Sequence, residues 1–175
     1  MEAIENEDIE KVKSIIKNSV GNKNILELNE KDKDGNYPLL WAIGKNNIEI
    51  VQLLIEYANQ HQIILELNKK NKDGWYPLLM AIFKDNIKIV QLLIDYALQH
   101  QIILELNKKN EDGVYPLYWA IYENNIEIVQ LLLEYALQHQ IILEYYKKKI
   151  EDKPKIKNLL QNYEKEMEKR KKVIK

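Results

Sequence analysis

Apolar and polar positions recur with a period of 39 residues along most of the chain. The strings "DGNYPLLWAIGKNNIEIVQLL", "DGWYPLLMAIFKDNIKIVQLL" and "DGVYPLYWAIYENNIEIVQLL" begin at Asp34, Asp73 and Asp112. Residues 67–105 and 106–144 are identical at 29 of 39 positions, and "AIENEDIEKVKSII" from Ala3 aligns with "AIGKNNIEIVQLLI" from Ala42. A fixed period of this length predicts helical units that bury their apolar faces by stacking on their neighbours.

The polar turn at the start of each unit predicts where its first helix begins. The Asp-Gly pair at residues 34–35 is a turn dipeptide, because Gly adopts positive φ cheaply. Pro38 suits the first turn of a helix, where no amide hydrogen is needed. Leu39, Ala42 and Ile43 then follow helical spacing, which predicts helix one over residues 38–45, ended by an Asn pair.

The second apolar stripe predicts a longer helix. Helix two is predicted to begin near Ile48 and to run on through the segment "NQHQ", before the chain returns at "IILELN". Its expected buried stripe is Ile48, Val51, Leu54, Ile55 and Ala58.

The period divides the chain into five segments. They are a partial N-terminal capping repeat (1–29), three full repeats (30–68, 69–107 and 108–146) and a basic C-terminal capping helix (147–175). The expected buried stripe of the capping helix is Ile156, Leu159, Leu160, Tyr163 and Met167.

At the level of motifs, the repeat resembles the ankyrin repeat, whose pattern is D-x-x-G-x-T-P-L-H-x-A-A-x-x-G-H-x-x-I-V-x-x-L-L. The matching residues of the first full repeat are Asp32, Gly35, Pro38, Leu39, Ala42, Ile50, Val51 and Leu54. The resemblance implies an all-α ankyrin-repeat solenoid of stacked helix-turn-helix units joined by β-turn-like loops.

Two departures from that pattern change the expected stacking. Tyr37, Tyr76 and Tyr115 replace the Thr of the family, and Leu40, Leu79 and Tyr118 replace its His. We expect tyrosine stacking along the repeats to replace the hydrogen-bonded Thr–His pair. The repeat is also 39 residues long, where about 33 is usual.

Charge is unevenly distributed although the net charge is only −1. Residues 147–175 hold twelve Lys or Arg against five Asp or Glu, and residues 1–146 hold fourteen against twenty-two. The favoured interpretation is two solvated surfaces, and the alternative is a tail that contacts an acidic surface, which could be a partner, nucleic acid or the body itself. The run Lys169–Lys172 suits a helix C-terminus, with nuclear import or nucleic-acid contact as the alternative. The acidic body disfavours nucleic-acid binding.

The residue inventory disfavours an enzyme. The chain has no Cys and no Thr, only two serines (Ser14 and Ser19) and one Arg. A nucleophile with a positioned base cannot be assembled from these residues. We therefore predict a non-enzymatic protein with no cofactor, no metal and no small-molecule substrate.

Three histidines also repeat with the period, at His61, His100 and His139. Neighbouring stacked helices lie about 8–10 Å apart, which is too far for the ladder to share a metal ion. A structural role at the end of helix two is favoured, with a pH-sensitive ladder as the alternative.

The sequence has no run of eighteen apolar residues and no secretory signal pattern. We expect an intracellular protein, cytoplasmic rather than nuclear, without a membrane segment. We expect a monomer, with self-association as the alternative.

Positions that differ between otherwise copied repeats indicate a binding surface. The resemblance to ankyrin repeats places them on the turn tips and the concave face of helix one. Large aromatic side chains there suit interface anchors. The candidate partner-binding residues are Lys33, Asn36, Gly44, Lys45, Lys72, Trp75, Phe83, Lys84, Glu111, Val114, Tyr118, Trp119, Tyr122 and Glu123.

These observations predict a protein–protein interaction scaffold that binds a protein partner through the turn tips and helix one. Two alternatives stay open: a self-associating structural module, and a regulatory ankyrin fragment of a larger protein.

Overall fold

A computed structural model describes residues 1–21 and 24–173 of the chain, and its described part is helical, with no strand. The chain forms two compact units, unit 1 over residues 1–104 and unit 2 over residues 105–175. The expected all-α fold class is confirmed.

Unit 1 contains three helix-turn-helix pairs. Their helices are α1 (Glu2–Glu5), α2 (Ile9–Gly21), α3 (Pro38–Gly44), α4 (Ile48–His61), α5 (Pro77–Phe83) and α6 (Ile87–Gln99). Each first helix packs on its own second helix. Helices α1, α3 and α5 are successive neighbours in one layer, and α2, α4 and α6 are successive neighbours in the other. The buried core lies between these two layers.

Unit 2 contains one such pair and the C-terminal helix. It consists of α7 (Pro116–Tyr122), α8 (Ile126–His139), a 3₁₀ turn (Lys147–Ile150) and α9 (Pro154–Val173). Helix α9 packs on α8, and the 3₁₀ turn contacts both α7 and α9. Four of the five residues expected in the buried stripe of α9 are buried, and Leu159 is half-buried.

The helix boundaries follow from local chemistry. Proline occupies the first turn of α3, α5 and α7, where its missing amide hydrogen costs nothing. The side chain of Asn47 accepts a hydrogen bond from the Ile50 amide at 3.1 Å and caps α4. Asn46 has a φ of +58°, which ends the preceding helix. Helix one therefore ends at Gly44, one residue before the predicted boundary.

Helix two buries three of its five predicted stripe residues, Val51, Leu54 and Ala58. Ile48 and Ile55 are only half-buried, whereas Ile50 and Tyr57 are buried. Tyrosine is tolerated there because its hydroxyl has polar partners. The Tyr57 hydroxyl accepts from the Leu26 amide at 3.0 Å and from the Ser19 hydroxyl at 3.1 Å.

The same tyrosine contact recurs in the next repeat and again in the C-terminal helix. The Tyr96 hydroxyl donates to the Ile63 carbonyl at 3.0 Å and accepts from the Leu65 amide at 3.1 Å. In unit 2, the Tyr163 hydroxyl donates to the Ile141 carbonyl and accepts from the Leu143 amide. Helix α9 therefore reproduces the hydrogen bonds of a helix two.

The histidines pack against these tyrosines. The rings of His61 and Tyr57 lie 4.2 Å apart between centroids, and His100 and Tyr96 repeat that distance. His100 Nε2 also lies 2.8 Å from Asn59 Oδ1. These contacts support the structural role that the sequence favoured for the histidines.

Tyr37 stands where the ankyrin pattern has Thr. Its hydroxyl group makes hydrogen bonds, where we expected stacked tyrosine rings. Tyr37 is fully buried, and its hydroxyl lies 2.6 Å from the Glu66 carbonyl oxygen and 3.0 Å from that of Lys69. Burial raises the pKa of Tyr37 far above its ordinary value, so the phenol remains a donor.

Candidate functional site

Each turn that carries candidate residues is built around one side-chain oxygen. Asp32 Oδ1 accepts from the amides of Asp34 and Asn36, both at 2.9 Å. Asn71 and Asn110 make the same two bonds in the later turns. This local ring of hydrogen bonds fixes the turn and orients the residue at its tip.

The electrostatics of the first turn agree with a structural role for Asp32. Partial burial favours the neutral carboxyl, but a 2.8 Å hydrogen bond from the Trp41 indole and the two backbone amides outweigh it. The pKa of Asp32 therefore lies below its ordinary value. Its two oxygens hold the turn together and bind the indole of Trp41.

The turn-tip candidates differ in exposure. Lys33, Lys72 and Glu111 are exposed, whereas Asn36, Trp75 and Val114 are half-buried. Asn36 Oδ1 accepts from Asn71 Nδ2 at 2.8 Å. Asn36 thus links two turns of unit 1 and is partly occupied by that structural contact.

Unit 1 brings the turn tip and the end of helix one together in its second full repeat. The rings of Trp75 and Phe83 lie 4.9 Å apart between centroids, at 59° to each other. Phe83 is 39% exposed, and Lys84 Nζ lies 5.8 Å from the centre of its ring. The three residues form one aromatic surface with a positive charge beside it.

The first full repeat has a plainer surface at the same positions. Gly44 offers no side chain where Phe83 stands in the next repeat. Lys45 Nζ lies 5.9 Å from the ring centre of Trp41, a cation–π distance. The indole of Trp41 is half-buried and bound to Asp32, so it serves packing.

Unit 2 gathers its aromatic candidates on α7. Tyr122 is 58% exposed. Its ring centroid lies 6.4 Å from that of Tyr118, nearly parallel, and 5.4 Å from that of Trp119. Glu123 is exposed directly after Tyr122. This end of α7 therefore presents parallel aromatic rings next to a carboxylate.

Tyr146 adds a ring that the sequence interpretation missed. It is 58% exposed and lies 6.3 Å from Tyr118 and 6.5 Å from Tyr115 between ring centroids. A cleft of about 460 Å³ opens beside these rings. It is lined by Tyr115, Tyr118, Ile121, Tyr122, Tyr146, Lys149, Glu151, Asp152 and Lys153. Burial, with Tyr146 and Glu144 nearby, raises the pKa of Tyr115 to about 12.

A signal for this extension was present in the sequence. Tyr145 and Tyr146 stand where earlier repeats have Leu-Asn, as in Leu67 and Asn68. The break in the repeat was visible, but the placement of Tyr146 depends on the 3₁₀ turn that follows it.

Within the described residues, no group of His, Cys, Asp or Glu side chains could hold a metal ion. No helix among them is long and apolar enough to cross a membrane.

Comparison with known families agrees with the architecture. A family model described as ankyrin repeats (3 copies) matches residues 1–101 and 61–144. The chain belongs to the ankyrin-repeat family. Ankyrin repeats are generally protein–protein interaction modules and are typically non-enzymatic.

A solved ankyrin repeat structure gives the same fold. The crystal structure of EF0377, an ankyrin repeat protein, is similar with a TM-score of 0.62 at 28% sequence identity. The alignment covers 92% of this chain and 79% of that one. No curated protein matches the chain in sequence.

Proposed function

We propose that this ankyrin-repeat chain is a non-enzymatic scaffold that binds a protein partner through its turn tips and the exposed face of helix one. One observation carries the proposal: two aromatic pairs, each with one exposed ring, occur where otherwise copied repeats differ. Trp75 and Phe83 form such a pair in unit 1, and Tyr118 and Tyr122 form one in unit 2. Their counterparts in the first full repeat are Asn36, Gly44 and Leu40.

Burial of these rings would supply much of the binding free energy. Aromatic residues dominate interface energetics, and a central anchor contributes about 2 kcal/mol or more when truncated. Phe83 and Tyr122 are 39% and 58% exposed, so each keeps apolar surface for a partner to cover. Each pair is also pre-ordered by ring contact, which lowers the entropy lost on binding.

Charge beside the rings would add selectivity. Lys33, Lys45, Lys72 and Lys84 flank the candidate positions of unit 1, whereas Glu111 and Glu123 take their places in unit 2. A partner that matches unit 1 should carry acidic groups, and a partner segment that matches unit 2 should carry basic groups.

Two residues of the basic run Lys169–Lys172 make contacts within their own unit. Arg170 donates to the Leu137 carbonyl at the end of α8, and Lys169 pairs with Glu166 on the same helix. These contacts support the structural interpretation of Lys169–Lys172 over a nucleic-acid or import role. Self-association and regulation of a larger protein remain alternatives.

The experiment replaces each aromatic pair with the residues of the first full repeat. The two double variants are Trp75→Asn/Phe83→Gly and Tyr118→Leu/Tyr122→Gly. Each installs residues that the fold already carries at the same positions of its first full repeat. A partner captured by the intact chain should bind at least about 30-fold more weakly to the variant that contacts it.

A matched control places the change on helix two. Lys88→Glu installs the residue found at Glu49 and Glu127 and should leave affinity within about twofold. If a partner binds both aromatic variants as tightly as the intact chain, the proposed surface is wrong.

A further inference from the structure

A row of exposed isoleucines follows the second helices of unit 1 and includes none of the aromatic candidates. Ile25, Ile64 and Ile103 stand 39 residues apart, and they are 56%, 53% and 54% exposed. Ile64 and Ile103 end the segments "NQHQII" and "LQHQII", which the ankyrin pattern of about 33 residues does not contain. The row therefore belongs to the part of the repeat that is additional to that pattern.

Hydrogen bonds hold Ile64 at the surface. The backbone of residues 63–66 has no helical structure and is held by two side chains. The Tyr96 hydroxyl binds one carbonyl and one amide of this segment, and the Asn29 side chain binds another carbonyl and another amide. Leu65 takes the inner position and is buried, so its neighbour Ile64 projects outward.

The partial N-terminal repeat keeps this segment although it differs from the first full repeat at most other positions. Of its first 24 residues, six are identical to their counterparts 39 residues later, whereas all five residues of "ILELN" at 25–29 are identical. Leu28 is buried and Asn29 is hydrogen-bonded, which explains why these two are kept. Ile25 and Glu27 are exposed, so packing within unit 1 does not explain them.

The spacing of the row favours a helical partner. Helices α2, α4 and α6 are successive neighbours in their layer, and stacked helices lie about 8–10 Å apart. The isoleucines follow these helices at equivalent positions, so they recur at about the same spacing. Side chains seven positions apart on a helix are separated by about 10.5 Å. Side chains on one face of a strand recur at about 6.8 or 13.6 Å, which does not match the row.

Charge beside the row favours a basic partner. Glu27 and Glu66 each follow an isoleucine of the row by two residues; Glu27 is exposed and Glu66 is half-buried. Three residues further on, the exposed Glu30 and Lys69 carry opposite charges, so only the glutamates are shared by the two repeats. Residues 1–104 hold twelve Lys against fifteen Asp or Glu, so unit 1 as a whole also attracts cations.

We propose that Ile25, Ile64 and Ile103 bind a basic amphipathic helix whose apolar residues recur every seven positions. The helix lies along the row, and each isoleucine contacts one of its apolar side chains. Lys or Arg residues beside that apolar stripe pair with Glu27 and Glu66. This surface shares no residue with the proposed aromatic surface, and neither proposal depends on the other.

The test titrates the intact chain into a fluorescent peptide of about 18 residues, built from alanine and lysine with leucines at about every seventh position. Fluorescence anisotropy should show saturable one-to-one binding. A peptide of the same composition, with its leucines at about every fifth position, carries them on different helix faces and should bind about 10-fold more weakly or worse. A third peptide, with every lysine replaced by glutamate, should show no saturable binding, because it meets like charges.

Protein variants locate the peptide. Ile64→Thr/Ile103→Thr keeps β-branched side chains, which suit a non-helical backbone, but removes apolar surface and should weaken binding by about 10-fold or more. Ile15→Thr is the matched control, because Ile15 is 40% exposed on α2 and lies outside the row; affinity should stay within about twofold. Glu27→Gln/Glu66→Gln should weaken binding by about 2- to 5-fold and reduce its dependence on salt.

Four results would overturn the proposal. They are no saturable binding, equal binding of the peptide with redistributed leucines, equal or tighter binding of the glutamate peptide, and equal losses in Ile64→Thr/Ile103→Thr and Ile15→Thr. None of them bears on the aromatic surface, because the peptide experiment uses no captured partner. Failure of one proposal therefore leaves the other intact.

Discussion

The hydroxyl of Tyr37 offers the sharpest test of how this chain replaces the Thr–His pair of ankyrin repeats. Tyr37→Phe removes one oxygen from a fully buried ring and leaves the ring in place. The lost contacts are those to the Glu66 and Lys69 carbonyl oxygens, at 2.6 and 3.0 Å. Because packing is kept, the change measures the polar contact itself.

The magnitude follows from those two carbonyls. A hydrogen bond of this kind contributes about 0.5–1.5 kcal/mol net, and an unpaired buried acceptor costs more. The surroundings of the bond are only partly buried, so water can reach the carbonyls in part. We expect the free energy of unfolding to fall by about 1–2 kcal/mol.

The assay is urea unfolding followed by circular dichroism at a fixed pH. Tyr122→Phe is the matched control, because it removes the same atom from a ring that is 58% exposed. Its effect should stay within about 0.5 kcal/mol. If both substitutions change stability equally, the hydroxyl of Tyr37 does not tie the repeats together.

The remaining stability predictions concern single groups. Tyr163→Phe removes the contacts to Ile141 and Leu143 and should raise amide exchange in α9 more than in α8, measured by mass spectrometry; equal exchange in both would contradict this. Gly35→Ala should lower the free energy of unfolding by about 1–3 kcal/mol in urea, because its added Cβ would lie 3.1 Å from the Asn71 Cα. Gly113→Ala should lower it less, since its added Cβ meets nothing within 4 Å. The reverse order would refute the importance of this close approach. Because the pKa of Tyr115 is raised to about 12, its contribution to stability should be complete below about pH 10 and be lost between about pH 10 and 12. A pH series of urea midpoints checks this, and Tyr115→Phe should flatten the fall.

Much of the fold could be predicted because one short unit is repeated. The Asp-Gly turn, Pro38 and the Asn pair each fix a helix end through local backbone chemistry. These signals recur in the three full repeats, with Asp85-Asn86 in place of the Asn pair in the second. The same repetition made the ankyrin pattern recognisable despite the tyrosines at positions 37, 76 and 115.

The polar contacts were harder to predict, because they join residues of neighbouring repeats that lie far apart in the chain. The prediction from periodicity left Tyr57 out of the buried stripe. A tyrosine can be buried there only when its hydroxyl has hydrogen-bond partners. Those partners are Ser19 and Leu26, which lie more than thirty residues earlier in the chain. No local sequence pattern predicts such a contact.

Part of the candidate binding surface could be predicted from the sequence. Comparing the repeats identified Trp75 with Phe83, and Tyr118 with Tyr122, as differing positions, and the structure pairs their rings. The sequence analysis missed Tyr146, because this residue follows the point where the repeat pattern stops. Its approach to Tyr118 depends on the 3₁₀ turn at Lys147–Ile150.

The most direct test of the central claim is hydroxyl-radical footprinting of the complex with a captured partner. Oxidation is compared, with and without the partner, at the four aromatic residues and at exposed control positions in the segments that follow helix two. The account predicts protection of Trp75 and Phe83, of Tyr118 and Tyr122, or of both pairs. Protection confined to the exposed residues Ile64, Ile103 or Ile142, with these four aromatic residues oxidised as in the free chain, would contradict it.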